Sequence, residues 1–105
     1  MKTEVKFSEK EGTLSAILPE EIDHHSAKPI REATDKELFK VRPVFLVLDF
    51  GAVGFMDSSG IGLILGRAEL CREIGCRVRL KGLSPALMKI VRLSGIEKID
   101  NVSIL

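Results

Sequence analysis

The chain reads as one α/β domain: a mixed, mostly parallel central sheet with helices packed on it and a β-hairpin in front. Three observations predict this. Two stretches near the start alternate apolar and polar residues around a KEG turn. The rest of the chain then switches repeatedly between strand-like and helix-like spacing, as crossover units require. Its most apolar run, VFLVLDF from Val44 to Phe50, shows no polar face, which suits a strand inside a parallel sheet. A length of 105 residues supplies one core and not two, so residues 1–105 are expected to form a single domain.

Taken in order, Val5 and Phe7 alternate with polar residues, and after KEG the pattern resumes with Leu14, Ala16 and Leu18 on one face. This is a hairpin, ended by Pro19. From His24 to Phe39 the spacing becomes helical, through Ala27, Ile30, Ala33 and Phe39. Pro29 fits only the first turn, so the helix proper begins near Ala27 or Lys28, with Asp23 or Ser26 as its cap. The strand Val44–Phe50 follows, and its apolar character on both faces predicts helices above and below the sheet. GAVGFMD then leads into a long helix from Ser58 to Ile74, closed by Gly75. Cys76, Val78 and Leu80 alternate with Arg77, Arg79 and Lys81, giving a strand with one wet face. Ser84-Pro85 opens a helix over Ala86–Leu93 that Gly95 ends, and NVSIL supplies a last short strand.

Composition removes several classes of function. Sixteen basic and fifteen acidic side chains leave a formal charge of +1, so no footprint for nucleic acid or an anionic membrane is present. The aromatics are five Phe, too few for a base-stacking platform. No stretch approaches the roughly 20 apolar residues of a membrane span. The start, MKTEVKFSEKEG, lacks the apolar core of a signal peptide, and a cytoplasmic location is expected. Cys71 and Cys76 form no CxxC pair and sit in apolar patterns, so reduced core thiols are expected.

The densest polar constellation is Asp57-Ser58-Ser59-Gly60, at the mouth of the long helix. Asp57 as N-cap accepts from free helix N–H groups and leaves Ser58 and Ser59 on the first turn. The helix dipole favours an added anion there by about 0.3–1 kcal/mol, and Asp57 opposes it by like-charge repulsion. A phosphate on Ser58 would therefore change the fold little while shifting surface charge by roughly −1.5 to −2 units. Along the helix, Ile61, Ile64, Leu65, Ala68 and Cys71 form a stripe suited to the sheet, with Gly62, Leu63, Gly66 and Leu70 largely off it. Glycines there fit either close approach by another backbone or cover by a second layer of the same domain.

FMDSSGIGLILGR, with VFLVLDF before it and EIDHHSA further upstream, resembles the bacterial anti-sigma-factor antagonists of the STAS domain family, most of all their sporulation branch. The likeness continues through CRVRLKGLSPALMKIVRLSGIEKI, so it covers nearly the whole chain. It implies a STAS-like fold and a partner-switching role without catalysis, metal or cofactor. The unphosphorylated form binds an anti-sigma factor that is also an ATP-dependent serine kinase, and so frees the sigma factor. Phosphorylation on Ser58 ends that binding, and a serine phosphatase restores it. The resemblance places Asp23, Asp57, Ser59 and Gly60 around the phosphorylation site, and Asp23, Ser58, Gly62, Leu63 and Gly66 at the partner. Two departures are visible. Pro19-Glu20 stands where many members have a glycine, and the chain ends at Leu105, before a C-terminal helix many antagonists add, a difference that fits either an exposed part of the sheet or self-association.

Other chemistries fit poorly. His24 and His25 are adjacent and do not converge on one ion, and no third ligand is placed with them. Ser58 lacks a G-x-S-x-G elbow and a base to activate it, which argues against a serine hydrolase. No phosphate-cradling glycine loop suggests a nucleotide enzyme. The remaining rival is a STAS-like scaffold or regulatory subunit of a transporter or stress-signalling complex, in which Ser58 is not phosphorylated.

Overall fold

The computed structural model describes residues 4–105. The hairpin pairs β1 (Lys6–Lys10) with β2 (Thr13–Ile17), and Lys10 faces Thr13 directly across the turn. Glu11 and Gly12 both take positive φ, 51° and 82°. That is the two-residue turn whose twist matches flanking strands, and it explains the EG pair. The chain continues through a two-residue strand β3 (Glu21–Ile22), helix α1 (Ala27–Val41), β4 (Phe45–Asp49) and a second two-residue strand β5 (Phe55–Met56). Helix α2 (Ser58–Ile74), β6 (Arg77–Lys81), α3 (Pro85–Ser94), a 3-10 turn (Ile96–Lys98) and β7 (Val102–Ile104) complete it.

The main sheet has the order β1-β2-β4-β6-β7, with only the β1–β2 pair antiparallel. The mixed, mostly parallel sheet expected from sequence is therefore present. Helices on both of its faces are not. Strand order advances one way across the sheet, so right-handed crossovers drop α1, α2 and α3 on the same side. Leu14, Ala16, Leu46, Leu48, Val78 and Leu80 point to that side and share one core with Ile30, Leu38, Ile64, Ala68, Leu87 and Val91. The other face carries Thr13, Ser15, Ile17, Phe45, Val47, Arg77, Arg79 and Lys81 by strand alternation. Arg79 lays its guanidinium over the Phe45 ring, 3.6 Å from the centroid. This cation–π lid, rather than a helix layer, covers Phe45 of VFLVLDF.

The two cysteines also differ from expectation: they are joined as a disulfide, not held as thiols. Local geometry brings them together. Gly75 ends α2 at φ 85°, and Cys76 N–H donates to the Cys71 carbonyl at 2.8 Å. In this helix-ending motif the side chains at positions 71 and 76 normally make an apolar contact, and here that contact is the disulfide, with Cα atoms 4.6 Å apart.

Candidate functional site

The loop before α2 is fixed at both ends. Asp57 Oδ1 accepts from the Ser59 N–H at 2.8 Å, the side-chain cap expected of an Asp at this position. Ser58 is the first residue of the helix and is exposed; Ser59 is partly buried. Gly60 is buried for a different reason. A Cβ there would collide with the Met56 side chain, so the glycine lets α2 start directly against β5.

The β3–β5 ladder, too short to leave a periodic signal, draws the other half of the site alongside. Ile22 pairs with Met56 in parallel register, and the Asp57 N–H donates to the Ile22 carbonyl at 3.1 Å. Asp23 and Asp57 thus leave the ends of paired strands side by side. Asp23 and Ser26 form a reciprocal cap at the start of α1. Asp23 Oδ1 accepts from the His25 and Ser26 N–H groups at 2.9 Å each, while the Asp23 N–H donates to Ser26 Oγ at 3.0 Å. Ser26 is the formal N-cap, yet it is Asp23 whose carboxylate serves the free N–H groups. Chiefly through the Ser26 N–H, and against a smaller opposing effect of burial, these bonds hold the Asp23 carboxyl below the usual range.

The remaining predicted residues lie along α2. Its buried set is Gly60, Leu63, Ile64, Arg67, Ala68 and Cys71. The expected stripe is thus rotated: Leu65, placed toward the sheet, is 42 % exposed, and Leu63, placed at the partner, is 5 % exposed. Leu63 packs into the core and supplies only the floor of a trough between α1 and α2. Gly62 and Gly66 line that trough, and a Cβ on either would meet nothing within 4 Å among the described residues. Of the two explanations for these glycines, cover by a second layer of the domain is removed.

Sequence reading does not find Arg31 and Arg67, which wall the trough, or Asp35, which pairs with Arg67 behind it. Arg67 Nε lies 2.8 Å from Asp35 Oδ1 between the two helices. An Arg in the middle of an apolar helix, eight residues beyond Ser59, was the available signal.

Comparison with known proteins follows this geometry. The chain is 30 % identical over 99 residues to the anti-sigma F factor antagonist of Paenibacillus polymyxa, covering 94 % of this chain and 85 % of that protein. Its structure superposes on the anti-sigma factor antagonist SpoIIAA in unphosphorylated form with a TM-score of 0.77 at 26 % identity, covering 97 % of this chain and 88 % of the other. For the phosphorylated form of the Bacillus cell fate determinant SpoIIAA the TM-score is 0.73 at 27 % identity, covering 97 % and 91 %. The STAS domain pattern matches residues 4–103, and this chain belongs to the STAS domain family.

Proposed function

We propose that this protein is an anti-sigma-factor antagonist whose switch is a phosphate on Ser58. The observation that carries the reading is the placement of Ser58: an exposed hydroxyl on the first turn of α2, capped by Asp57 and flanked by the Asp23 turn. The similar proteins from Paenibacillus and Bacillus, described as antagonists and as phosphorylated and unphosphorylated forms, support it. In the unphosphorylated state the α2 mouth binds an anti-sigma factor and so releases the sigma factor. The same anti-sigma factor, acting as an ATP-dependent serine kinase, transfers a phosphoryl group to Ser58 Oγ. The kinase supplies the base, because Asp57 is committed to the Ser59 N–H. A serine phosphatase reverses the modification.

The phosphate works through charge. It adds roughly −1.5 to −2 units beside two carboxylates that are already fixed by backbone hydrogen bonds. The helix N-terminus returns part of that repulsion, about 0.3–1 kcal/mol. The fold is therefore little changed and the docking surface is strongly changed. The protein acts as a substrate and binding module rather than an enzyme, and the cytoplasm is where its ATP-using partner would meet it. Among the described residues no helix is long and apolar enough to cross a membrane.

Incubation with the anti-sigma kinase of the same organism and ATP should add one phosphate by intact mass, and Ser58→Ala should add none. Ser58→Ala should keep kinase binding while Ser58→Asp weakens it. Phosphate addition that survives Ser58→Ala would refute the site, and equal binding by the two variants would refute a charge switch. A chain that binds without ever being phosphorylated would be the scaffold alternative.

A further inference from the structure

The trough between α1 and α2 begins beside the Ser58 site and ends at a buried cation. It encloses about 340 Å³, with Ser59 at its near end, Gly62 and Gly66 along one side, and Arg31 and Arg67 on its walls. Ser59 to Gly66 spans about 10 Å of helix, at 1.5 Å per residue. Because neither glycine would meet a neighbour if it carried a Cβ, nothing among the described residues requires them to be bare. A bare helix face of this length admits another backbone at close range.

The far end is electrostatically incomplete. Arg67 is 5 % exposed, and its one ion-pair partner among the described residues is Asp35. The 2.8 Å approach lies off the N–H direction. Arg67 Nε, Arg67 Nη1 and Asp35 Oδ1 are all buried without a completed hydrogen bond among the described residues. Burying a guanidinium this poorly bonded is costly. Burial pulls the Arg67 pKa down, Asp35 opposes that, and Arg31 adds to it, so the two arginines sense each other. At this end two cations stand against one carboxylate, an excess of one positive charge.

We infer that the trough receives a carboxylate-bearing segment of the anti-sigma factor, its backbone along Gly62 and Gly66 and its Asp or Glu side chain against Arg31 and Arg67. This rests on the reading of the chain as an antagonist and adds the chemistry of the partner. The segment meets the exposed Arg31 directly and places a second negative charge beside Arg67. Continuity of the trough with Ser59 means that the same contact holds Ser58 in front of the kinase, so docking and phosphorylation share one anchor.

The test uses Arg31→Glu, an exposed substitution that leaves the core intact. Binding to the anti-sigma kinase of the same organism is measured by calorimetry, and Ser58 phosphorylation by steady-state kinetics. Arg31→Glu should weaken binding by about tenfold or more, and raise KM for Ser58 phosphorylation by a similar factor with kcat unchanged. Filling the trough with Gly66→Met should act in the same direction. One Asp→Lys or Glu→Lys substitution in the kinase should restore binding to Arg31→Glu alone. Wild-type affinity and KM in both trough variants would overturn the trough while leaving the Ser58 switch standing. Weakening that no acid-to-lysine change restores would overturn the carboxylate. A wild-type chain neither bound nor phosphorylated would overturn both readings.

Discussion

At Asp23 a single carboxylate oxygen holds two backbone N–H groups, and those bonds are strongest while the group is ionised. Its folded pKa lies below the ordinary 3.8, so the turn gains stability that is fully present above that value. The contribution is lost as pH falls through the depressed folded value. The His25 and Ser26 amide resonances should therefore shift together, with a shared midpoint below 3.8, and Asp23→Asn should abolish the step. A midpoint at or above 3.8 would mean that the reciprocal cap is not formed in solution. Residues of this kind were legible in the sequence. Asp23, Asp57 and Ser58 sit at helix starts, where short polar side chains have a local physical task. The pairing of Arg67 was not legible, because its partner Asp35 is 32 positions away and only the packing of α1 on α2 brings them together.

Helix α2 shows what local sequence can and cannot determine. Its ends follow from Asp57 and Gly75, a carboxylate cap and a left-handed glycine, and the bounds read from sequence agree with Ser58–Ile74. Its rotation did not follow, because Ile61, Leu63, Ile64 and Leu65 crowd four apolar residues into five positions and leave the buried face ambiguous. The three early glycines separate the roles along the helix. Gly62→Ala and Gly66→Ala should each stabilise the fold by about 1 kcal/mol, since a helical Ala is favoured over Gly and finds open space. Gly60→Ala should destabilise it, because its methyl meets Met56. Urea unfolding of the three variants checks the order, and a loss of stability at Gly62 or Gly66 would show that the trough is closed. The C-terminal end carries its own test. Closing so short a loop with the Cys71–Cys76 bond should contribute about 2 kcal/mol, so unfolding midpoints with and without reductant should differ accordingly.

For the molecule as a whole, the decisive feature is that the sheet is covered on one side only. The run VFLVLDF did not reveal this, because a residue shielded by a neighbouring arginine looks the same in sequence as one shielded by a helix. Val47 lies between Ser15 and Arg79 in the strand register, and it is only 7 % exposed although it stands outside the main core. Leu48, one residue on, is 1 % exposed and packs in that core. Adjacent residues of one strand should therefore respond differently to truncation. Leu48→Ala leaves a cavity in the core that sheet and helices share, and should cost about 2–5 kcal/mol. Val47→Ala removes methyl groups from a surface that water and the flexible Arg79 stem can refill, and should cost roughly 1 kcal/mol. Urea denaturation of the pair reads the difference directly. Equal large costs would require a second layer over Arg77, Arg79 and Lys81. A large difference would mean that the core beneath the helices, and not the open face, carries the stability of this strand.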